Sequence, residues 1–257
     1  METNSHELTA DGCLVTIEAK PEPITIDTSR SAALVVDMQN DFAAKGGMFD
    51  HAGIDISVNR SAAEPTSRAL ASMRKVGIGV IYLKMGLKPD LSDLGPPDSP
   101  SRIKHLPLAL GSPVSAPDGR QGRVLVRDTW NTDIIDELEP QAGDLVMYKT
   151  RYSGFYGTQL DSVLKERAVK WLFITGCTTS VCVESTLRDA MFRDYSCVLL
   201  ADCTAEPIGQ EFGRTNHEAS LLVMQTLFGW VSDSAEVIRA LDVQPAHSHQ
   251  SATPAGR

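Results

Sequence analysis

The sequence predicts one α/β domain of three layers, in which helices cover both faces of a mostly parallel, Rossmann-like sheet. Two observations lead to this prediction. Short segments rich in Val, Ile and Leu recur along the chain, and helical patterns separate them. The chain also has 257 residues, of which 42% are hydrophobic and 22% charged, so it can bury a sizeable core without a disulfide or a metal.

Five segments are predicted to be buried strands, because each is short and continuously apolar, as strands covered on both faces are. They comprise residues 31–36, 78–83, 145–148, 171–175 and 197–201. Right-handed crossovers bring the carboxyl ends of such strands to one edge of the sheet, and ligands bind outside that edge. Functional residues are therefore expected directly after the strands.

Four segments with helical periodicity lie between or after these strands. They comprise residues 64–76, 158–167, 180–194 and 212–227. In the first of them, Leu70, Met73 and Val76 share one face. In the second, Thr158 and Asp161 have the spacing of a capping box, which predicts that the helix begins at this threonine.

Both ends of the chain and one internal segment lack this alternation. Residues 1–24 are predicted to form a polar N-terminal arm, residues 25–241 the folded domain and residues 242–257 a flexible C-terminal tail. Residues 87–122 are dense in Pro, Gly, Ser and Asp. Because so long a loop is uncommon unless it covers a site, we predict a substrate-covering segment, with a plain surface excursion as the alternative.

Charge and composition argue against several classes of partner. The net charge is −9 and the sequence pI is near 5.1. Nucleic acids and anionic membranes bind clustered Lys and Arg, so neither is expected as a partner. No apolar run approaches the ~20 residues of a membrane span. The first twelve residues lack the features of a signal peptide, so a cytoplasmic location is expected.

The cysteines and histidines predict neither a disulfide framework nor a metal site. The five cysteines are odd in number and lack C-x-x-C spacing. They are Cys13, Cys177, Cys182, Cys197 and Cys203. His51, His105 and His217 stand alone in the sequence and are interpreted as surface or structural residues. No cofactor is expected, since the sequence has no glycine-rich phosphate loop.

Two charged residues come at the ends of predicted strands. Asp37 follows the first strand, where partial burial raises the pKa of a carboxylate and makes it a usable base. The alternative is an aspartate that caps a loop or helix. Lys149 follows the third strand and can hold a negative charge over the edge of the sheet. The alternative is a solvated lysine at a strand terminus.

A thiol follows the fourth strand. Residues 176–183 read Gly-Cys-Thr-Thr-Ser-Val-Cys-Val, a turn that leads into a helix, and Cys182 falls in the first turn of that helix. There the helix dipole and unpaired N–H groups lower the pKa of a thiol, and the same N–H groups can bind an oxyanion. The alternative is an inert buried cysteine, which is our interpretation of the other four. An acid, a cation and a thiol at one sheet edge are what thiol-based acyl transfer requires.

These segments carry a family resemblance. Residues 36–42 (VDMQNDF), Lys149 after a strand, and residues 176–183 (GCTTSVCV) resemble the isochorismatase-like cysteine hydrolases. The similarity runs from about residue 25 to residue 241 and is greatest to the ureidoacrylate amidohydrolase and biuret hydrolase branch. It implies an isochorismatase-like fold over residues 25–241.

The resemblance also implies roles for single residues. Asp37, Lys149 and Cys182 would form a catalytic triad, in which Asp37 takes the thiol proton and Cys182 forms a thioester that water hydrolyses. The backbone N–H groups of Thr178 and Cys182 would hold the oxyanion. A cis peptide bond is implied between Cys177 and Thr178.

The substrate implied is a small ureido or carbamoyl compound of the biuret, triuret or ureidoacrylate type, with release of ammonia or a small amine. Where the ureidoacrylate branch has a polar amide after the second strand, this chain has Met85. The substrate-binding residues predicted are Phe42, Tyr152, Phe155 and Gln225, for which core packing is the alternative. Members of the family are often dimers or tetramers, so a homo-oligomer is expected.

Four other functions compete with this one. Vinyl-ether hydrolysis of the isochorismatase type does not use a cysteine, so Cys182 counts against it. The nicotinamidase-like amidases carry an Asp/His metal cluster after the second strand, and residues 84–93 contain no histidine. A non-catalytic binding module would not need the three candidate groups. A Cys–His hydrolase would need His217 or His105 within hydrogen-bond reach of Cys182.

Overall fold

The structure, a computed structural model, describes residues 14–242. In chain order, its strands are β1 (Leu14–Ile17), β2 (Ile24–Asp27), β3 (Ser31–Val36), β4 (Gly79–Met85), β5 (Pro113–Ser115), β6 (Gln121–Arg123), β7 (Leu145–Lys149), β8 (Trp171–Cys177), β9 (Ser196–Ala205) and β10 (Trp230–Ser232). Its helices are α1 (Asn40–Ala43), α2 (Met48–His51), α3 (Ile56–Ser61), α4 (Ala63–Lys75), α5 (Pro100–His105), α6 (Leu160–Glu166), α7 (Glu184–Met191), α8 (Asn216–Leu227) and α9 (Ser234–Asp242).

A six-stranded sheet forms the middle layer. Its strand order is β10-β9-β8-β3-β4-β7, and every neighbouring pair is parallel. Alternate residues of β3 enter the two cores of the domain: Ala33 and Val35 pack on the side of α4 and α9, and Leu34 and Val36 on the side of α6 and α7. The predicted three-layer α/β fold is therefore confirmed.

The five predicted strands all form, and four of them extend further at the carboxyl end than the apolar pattern indicated. β4 continues to Met85, β7 to Lys149, β8 to Cys177 and β9 to Ala205. β10 is a sixth strand that periodicity did not predict, because it has only three residues. Among the described residues, no helix is both long enough and apolar enough to span a bilayer.

The capping box predicted at Thr158 is wrong. The Thr158 hydroxyl donates to the carbonyl of Gly154 (2.6 Å) and accepts from the N–H of Leu160 (3.2 Å), so it closes a turn before the helix begins. Asp161 binds the ammonium of Lys165 instead. Thr158 and Asp161 have the spacing of a capping box, but each side chain binds another nearby group instead.

The predicted N-terminal arm differs from the structure in its described part. Residues 14–17 form β1, which pairs antiparallel with β2 and buries Val15 and Ile17 against the core. The backbone of Lys20 also exchanges hydrogen bonds with Val231. The first 13 residues, with Cys13, and residues 243–257 of the predicted tail lie outside the described residues, and Asp242 is the last residue of α9.

Gly176 allows β8 to lie close to β3. Its φ is +115°, a conformation that side chains with a Cβ rarely adopt, and a Cβ there would overlap the backbone carbonyl of Val36. Because Gly176 is paired with Val36 in the sheet, this contact fixes the spacing between the two strands that lead into the candidate site.

We expect Gly176→Ala to destabilise the protein by about 3 kcal/mol or more, because a strained φ and an overlap with backbone each cost ~1–3 kcal/mol. Gly213→Ala is the matched control, since no atom lies within 4 Å of its added Cβ. Urea unfolding of both variants measures the difference. Equal stability of the two variants would show that the β3–β8 approach is not constrained as described.

Candidate active site

The strand register brings three candidate groups to one edge of the sheet. Val36, the last residue of β3, is paired with Leu83 on one side and with Gly176 on the other. Lys149, the last residue of β7, is paired with Met85. Asp37, which follows β3, therefore lies between the end of β4 and the turn that follows β8.

Asp37 and Lys149 form a buried ion pair. The Lys149 Nζ donates to Asp37 Oδ2 at 2.7 Å, and both side chains are completely inaccessible to solvent. The ammonium also donates to the backbone carbonyl of Arg151 at 3.2 Å. These are the partners that a buried charge pair needs to remain ionised.

Backbone contacts fix the orientation of the carboxylate. Asp37 has a φ of 53°, in the left-handed region that non-glycine residues seldom adopt. Its Oδ1 accepts from the N–H of Met85 at 2.8 Å. The side-chain amide of Gln39 forms two hydrogen bonds with the backbone of Met85: it accepts from the N–H (2.6 Å) and donates to the carbonyl (2.9 Å). Sequence reasoning missed Gln39, although it lies within the VDMQNDF motif.

Cys182 lies on a one-turn π-helix over Thr179–Val183, which leads directly into α7. The peptide bond between Cys177 and Thr178 is cis, at the position where the resemblance implied one. The Cys177 thiol donates to the carbonyl of Asp37 at 3.1 Å, so this cysteine joins β8 to the residue after β3. Cys182 is 6% exposed and close enough to both Asp37 and Lys149 for each to act on its pKa through a side-chain hydrogen bond.

Burial determines the direction of the pKa shift at Asp37 and at Cys182, whereas charge interactions determine it at Lys149. It raises the pKa of Asp37, although the Lys149 ammonium opposes this. Burial alone would lower the pKa of Lys149, but the neighbouring Asp37 and Cys182 outweigh it and the pKa is raised. Burial also raises the pKa of the Cys182 thiol, with Lys149 lowering it and Asp37 raising it. The expectation of a lowered thiol pKa is therefore wrong, because desolvation outweighs the helix terminus and the nearby cation.

Side chains behind the π-turn hold it in place. The buried carboxylate of Glu206 accepts from the N–H (3.0 Å) and the hydroxyl (2.5 Å) of Ser180. His217 Nδ1 lies 2.9 Å from the hydroxyl of Thr179, and burial lowers its pKa. His217 thus contacts the turn rather than the thiol, and the groups that act on Cys182 are Asp37 and Lys149.

A cavity of about 160 Å³ opens onto Cys182. Phe42 and Tyr152 line it, as predicted. Lys104, His105 and Leu108, all from the segment 87–122, form part of its wall, so this segment covers the site as predicted. The remaining lining is Met48, Phe49, Ile54, Met85, Leu125, Thr178, Val181, Cys182 and Ile208.

Two predicted substrate-binding residues lie elsewhere. Phe155 is 6% exposed and stacks on Tyr195 with ring centroids 6.0 Å apart, within the core beneath α6 and α7. Gln225 lies on α8 one position after the fully buried Met224 and faces a groove lined by Lys20 and Val231. Neither side chain lines the Cys182 cavity, because helical and turn geometry direct both away from the sheet edge.

The other described cysteines are free and buried. Cys197 and Cys203 lie in β9 and do not line the cavity. In residues 14–242, no three His, Cys, Asp or Glu side chains are grouped so as to hold a metal ion.

Asp41 is a buried carboxylate that sequence reasoning missed. Its Oδ1 accepts from the N–H of Met48 (2.9 Å) and the side-chain amide of Asn131 (2.6 Å). Its Oδ2 accepts from the N–H of Leu125 at 2.6 Å. Met48 and Leu125 both line the Cys182 cavity, so Asp41 positions two walls of that cavity. Burial raises the pKa of Asp41 from its ordinary 3.8 to about 6, with these hydrogen bonds opposing the shift.

We expect Asp41→Asn to lower the free energy of unfolding by about 1–3 kcal/mol, because one buried N–H donor would face an amide N–H₂.

The effect of Asp41→Asn should depend on pH. The native state binds the Asp41 proton more tightly than the unfolded state, so the stability that Asp41 contributes falls as pH rises from about 4 to about 6. The difference in the free energy of unfolding between wild type and Asp41→Asn should therefore be larger at pH 4.5 than at pH 7.5. Urea titrations at both pH values test this, with the exposed Asp98→Asn as control. A pH-independent difference would contradict it.

The sequence of this chain is similar to those of known proteins. Residues 31–236 match the sequence model of the Isochorismatase domain. The ureidoacrylate amidohydrolase RutB of Methylorubrum extorquens is 43% identical over 232 residues, which cover 90% of this chain and 91% of that protein. RutB of Yersinia enterocolitica is 43% identical over 217 residues, covering 84% of this chain and 91% of that protein.

Solved structures of related proteins have a similar fold. A cysteine hydrolase from Pseudomonas syringae pv. phaseolicola superposes with a TM-score of 0.70 at 29% identity, covering 84% of this chain and 94% of that one. The N-carbamoylsarcosine amidase of Thermoplasma acidophilum superposes with a TM-score of 0.59 at 25% identity, covering 80% and 98%. The family match and the RutB relatives indicate an amidohydrolase that acts on carbon–nitrogen bonds. The chain belongs to the isochorismatase family, as the resemblance in its sequence implied.

Proposed function

We propose that this amidohydrolase cleaves a carbon–nitrogen bond of a small ureido or carbamoyl compound through a thioester on Cys182. The observation that carries the proposal is the buried Asp37–Lys149 pair beside the Cys182 thiol, at a cavity large enough for a small substrate. The names of two relatives, ureidoacrylate amidohydrolase and N-carbamoylsarcosine amidase, support the substrate class.

The reaction begins with transfer of the thiol proton from Cys182 to the Asp37 carboxylate. A thiol whose pKa is raised by burial needs such a base, since it holds little thiolate by itself. The sulfur then attacks the carbonyl carbon of the substrate and forms a C–S bond. The Lys149 ammonium stabilises the negative charge that leaves Asp37 and appears on sulfur.

The tetrahedral intermediate carries its negative charge on the former carbonyl oxygen. We assign its stabilisation to the backbone N–H groups of Thr178 and Cys182, at the start and within the π-turn. Collapse of the intermediate breaks the C–N bond, and Asp37 returns its proton to the departing ammonia or amine. Without this proton, the leaving group would be an unstable amide anion.

Water completes the cycle. Asp37, again a carboxylate, takes a proton from a water molecule that attacks the thioester carbon. The C–S bond breaks, the acid product leaves and Asp37 returns the proton taken from water to the Cys182 thiolate. The same carboxyl group therefore acts first as base and then as acid in each half of the cycle, while Lys149 remains protonated throughout.

The cavity favours small substrates. Its volume of about 160 Å³ is below the ~300–1,000 Å³ of sites for drug-sized ligands. Ureidoacrylate, biuret and triuret are the candidates, and a wall built mostly of apolar side chains keeps bulk water out of the site, so that only the attacking water molecule meets the thioester.

We expect Cys182→Ala to abolish ammonia release and to leave the melting temperature nearly unchanged, because a thiol at a cavity wall contributes little packing. The assay compares ureidoacrylate, biuret, triuret, N-carbamoyl amino acids and nicotinamide. Cys197→Ala, in the core beside β8, is the control and should retain activity. An active Cys182→Ala would refute the thioester, and activity on nicotinamide alone would refute the substrate class.

We expect Lys149→Met to lower kcat by about 10²–10⁴-fold, the usual contribution of a positioned acid–base group. Without the ammonium, burial raises the pKa of Asp37 further, so the carboxyl holds its proton and cannot accept one from the thiol. The pH–rate profile of the residual activity should shift to higher pH. Lys165→Met, in an exposed pair on α6, is the control. A variant within a few-fold of wild type would refute this role for Lys149.

The homo-oligomer that the resemblance implied, a dimer or tetramer, stays a prediction, as does a cytoplasmic location. Large apolar side chains are exposed on and beside α7 and α8, among them Phe192, Leu222 and Leu227. Such side chains are typical of a surface that associates.

A further inference from the structure

A second cavity, of about 220 Å³, lies beside the catalytic cavity. Its lining is Pro100, Ser101, Lys104, Arg151 and Tyr152. Lys104 and Tyr152 line both cavities, so the two share a wall. A substrate that reaches Cys182 from this side would pass between the covering segment and the residues that follow β7.

The two cavities differ in charge. The catalytic cavity is walled mainly by apolar and aromatic side chains, with Lys104 in the wall that the two cavities share, whereas the second cavity is lined by both Lys104 and Arg151. Among the described residues, no carboxylate lines either cavity. This is unexpected in a chain whose net charge is −9.

Both cations lack a carboxylate partner. Within residues 14–242, neither Lys104 nor Arg151 takes part in an ion pair. The Arg151 guanidinium donates to the backbone carbonyls of Thr150 (2.7 Å) and Asp93 (3.3 Å), and it lies 5.5 Å from the ring of Tyr156. These neutral partners hold the guanidinium in position and leave its charge uncompensated.

We propose that the second cavity is an anion subsite and that the substrate is an N-carbamoyl compound with a carboxylate, which binds between Lys104 and Arg151. This deepens the proposed function and rests on it, because the ureido carbonyl of the same molecule must reach Cys182. Guanidinium and ammonium groups form charge-assisted hydrogen bonds with carboxylates. A neutral substrate such as biuret would leave both cations without a counter-charge.

His105 adds a polar group to the adjoining wall of the catalytic cavity. Its Nδ1 lies 2.6 Å from the carbonyl of Ser101, which can only accept, so Nδ1 carries a proton. In the neutral imidazole, Nε2 is then an acceptor for a ureido N–H. The short helix α5 thus supplies Lys104 for the carboxylate and His105 for the ureido group.

The test compares ureidoacrylate with prop-1-enylurea, which has a methyl group in place of the carboxylate. Wild type should show a kcat/KM at least about tenfold higher for ureidoacrylate. Lys104→Met and Arg151→Met should each raise KM for ureidoacrylate about tenfold more than KM for prop-1-enylurea, with little change in kcat. Lys104→Arg should restore most of the preference. Lys88→Met, an exposed lysine in the same covering segment, is the control and should change neither constant.

The outcomes separate the two proposals. If wild type hydrolyses both compounds equally and Lys104→Met affects both alike, the anion subsite is refuted while the proposed function stands. If wild type releases ammonia from neither compound, nor from biuret, triuret or the N-carbamoyl amino acids, the proposed function fails. Calorimetric binding of ureidoacrylate to Cys182→Ala then tests the subsite alone: binding that Lys104→Met weakens supports it, and no binding refutes it.

Discussion

The buried ion pair between Asp37 and Lys149 is the interaction on which the site depends. Neither charge would be stable alone in a solvent-free interior, and together they still require the Met85 N–H and the Arg151 carbonyl as partners. Moving the thiol proton from Cys182 to Asp37 does not change the total charge of the three groups. The negative charge only moves from carboxylate to sulfur, both of which lie next to the ammonium. In the proposed mechanism, proton transfer therefore needs no solvation by water, and burial of the three groups is compatible with it.

The parallel sheet brings together groups that are far apart in the sequence. Asp37, Met85, Lys149 and the turn after Cys177 come from four strands that are adjacent in space and far apart in sequence. Because all four strands run in the same direction, their ends meet at one edge and their register determines which residues face each other. Gly176 matters for this reason: it allows β8 to lie close enough to β3 for the Cys177 thiol to contact the carbonyl of Asp37.

The positions of Asp37, Lys149 and Cys182 could be predicted because they depend on strand ends, and buried strands have a clear apolar pattern. Positions that depend on tertiary contacts could not be. Phe155 lies in a turn and stacks on Tyr195, which is 40 positions further along the chain, and Gln225 lies on α8 beside Met224, which is buried in the core. The raised pKa of Cys182 was missed because a sequence shows a helix terminus but not the extent of burial. Asp41 was missed because its donors, Leu125 and Asn131, lie more than 80 residues away.

The covering segment contributes to both the proposed thioester mechanism and the proposed anion subsite. In the proposed mechanism one water molecule hydrolyses the thioester, and apolar walls such as Phe42, Leu108 and Leu125 keep bulk water out. A second ammonium beside the sulfur would compete with Lys149 for the charge on sulfur and would change the proton balance between Cys182 and Asp37. In the proposed arrangement Lys104 lies in the wall that the two cavities share and Arg151 lies in the second cavity, so that both charges act on the carboxylate end of the substrate. Binding energy from that end can then position the ureido carbonyl at the thiol, which is how remote contacts contribute to catalysis.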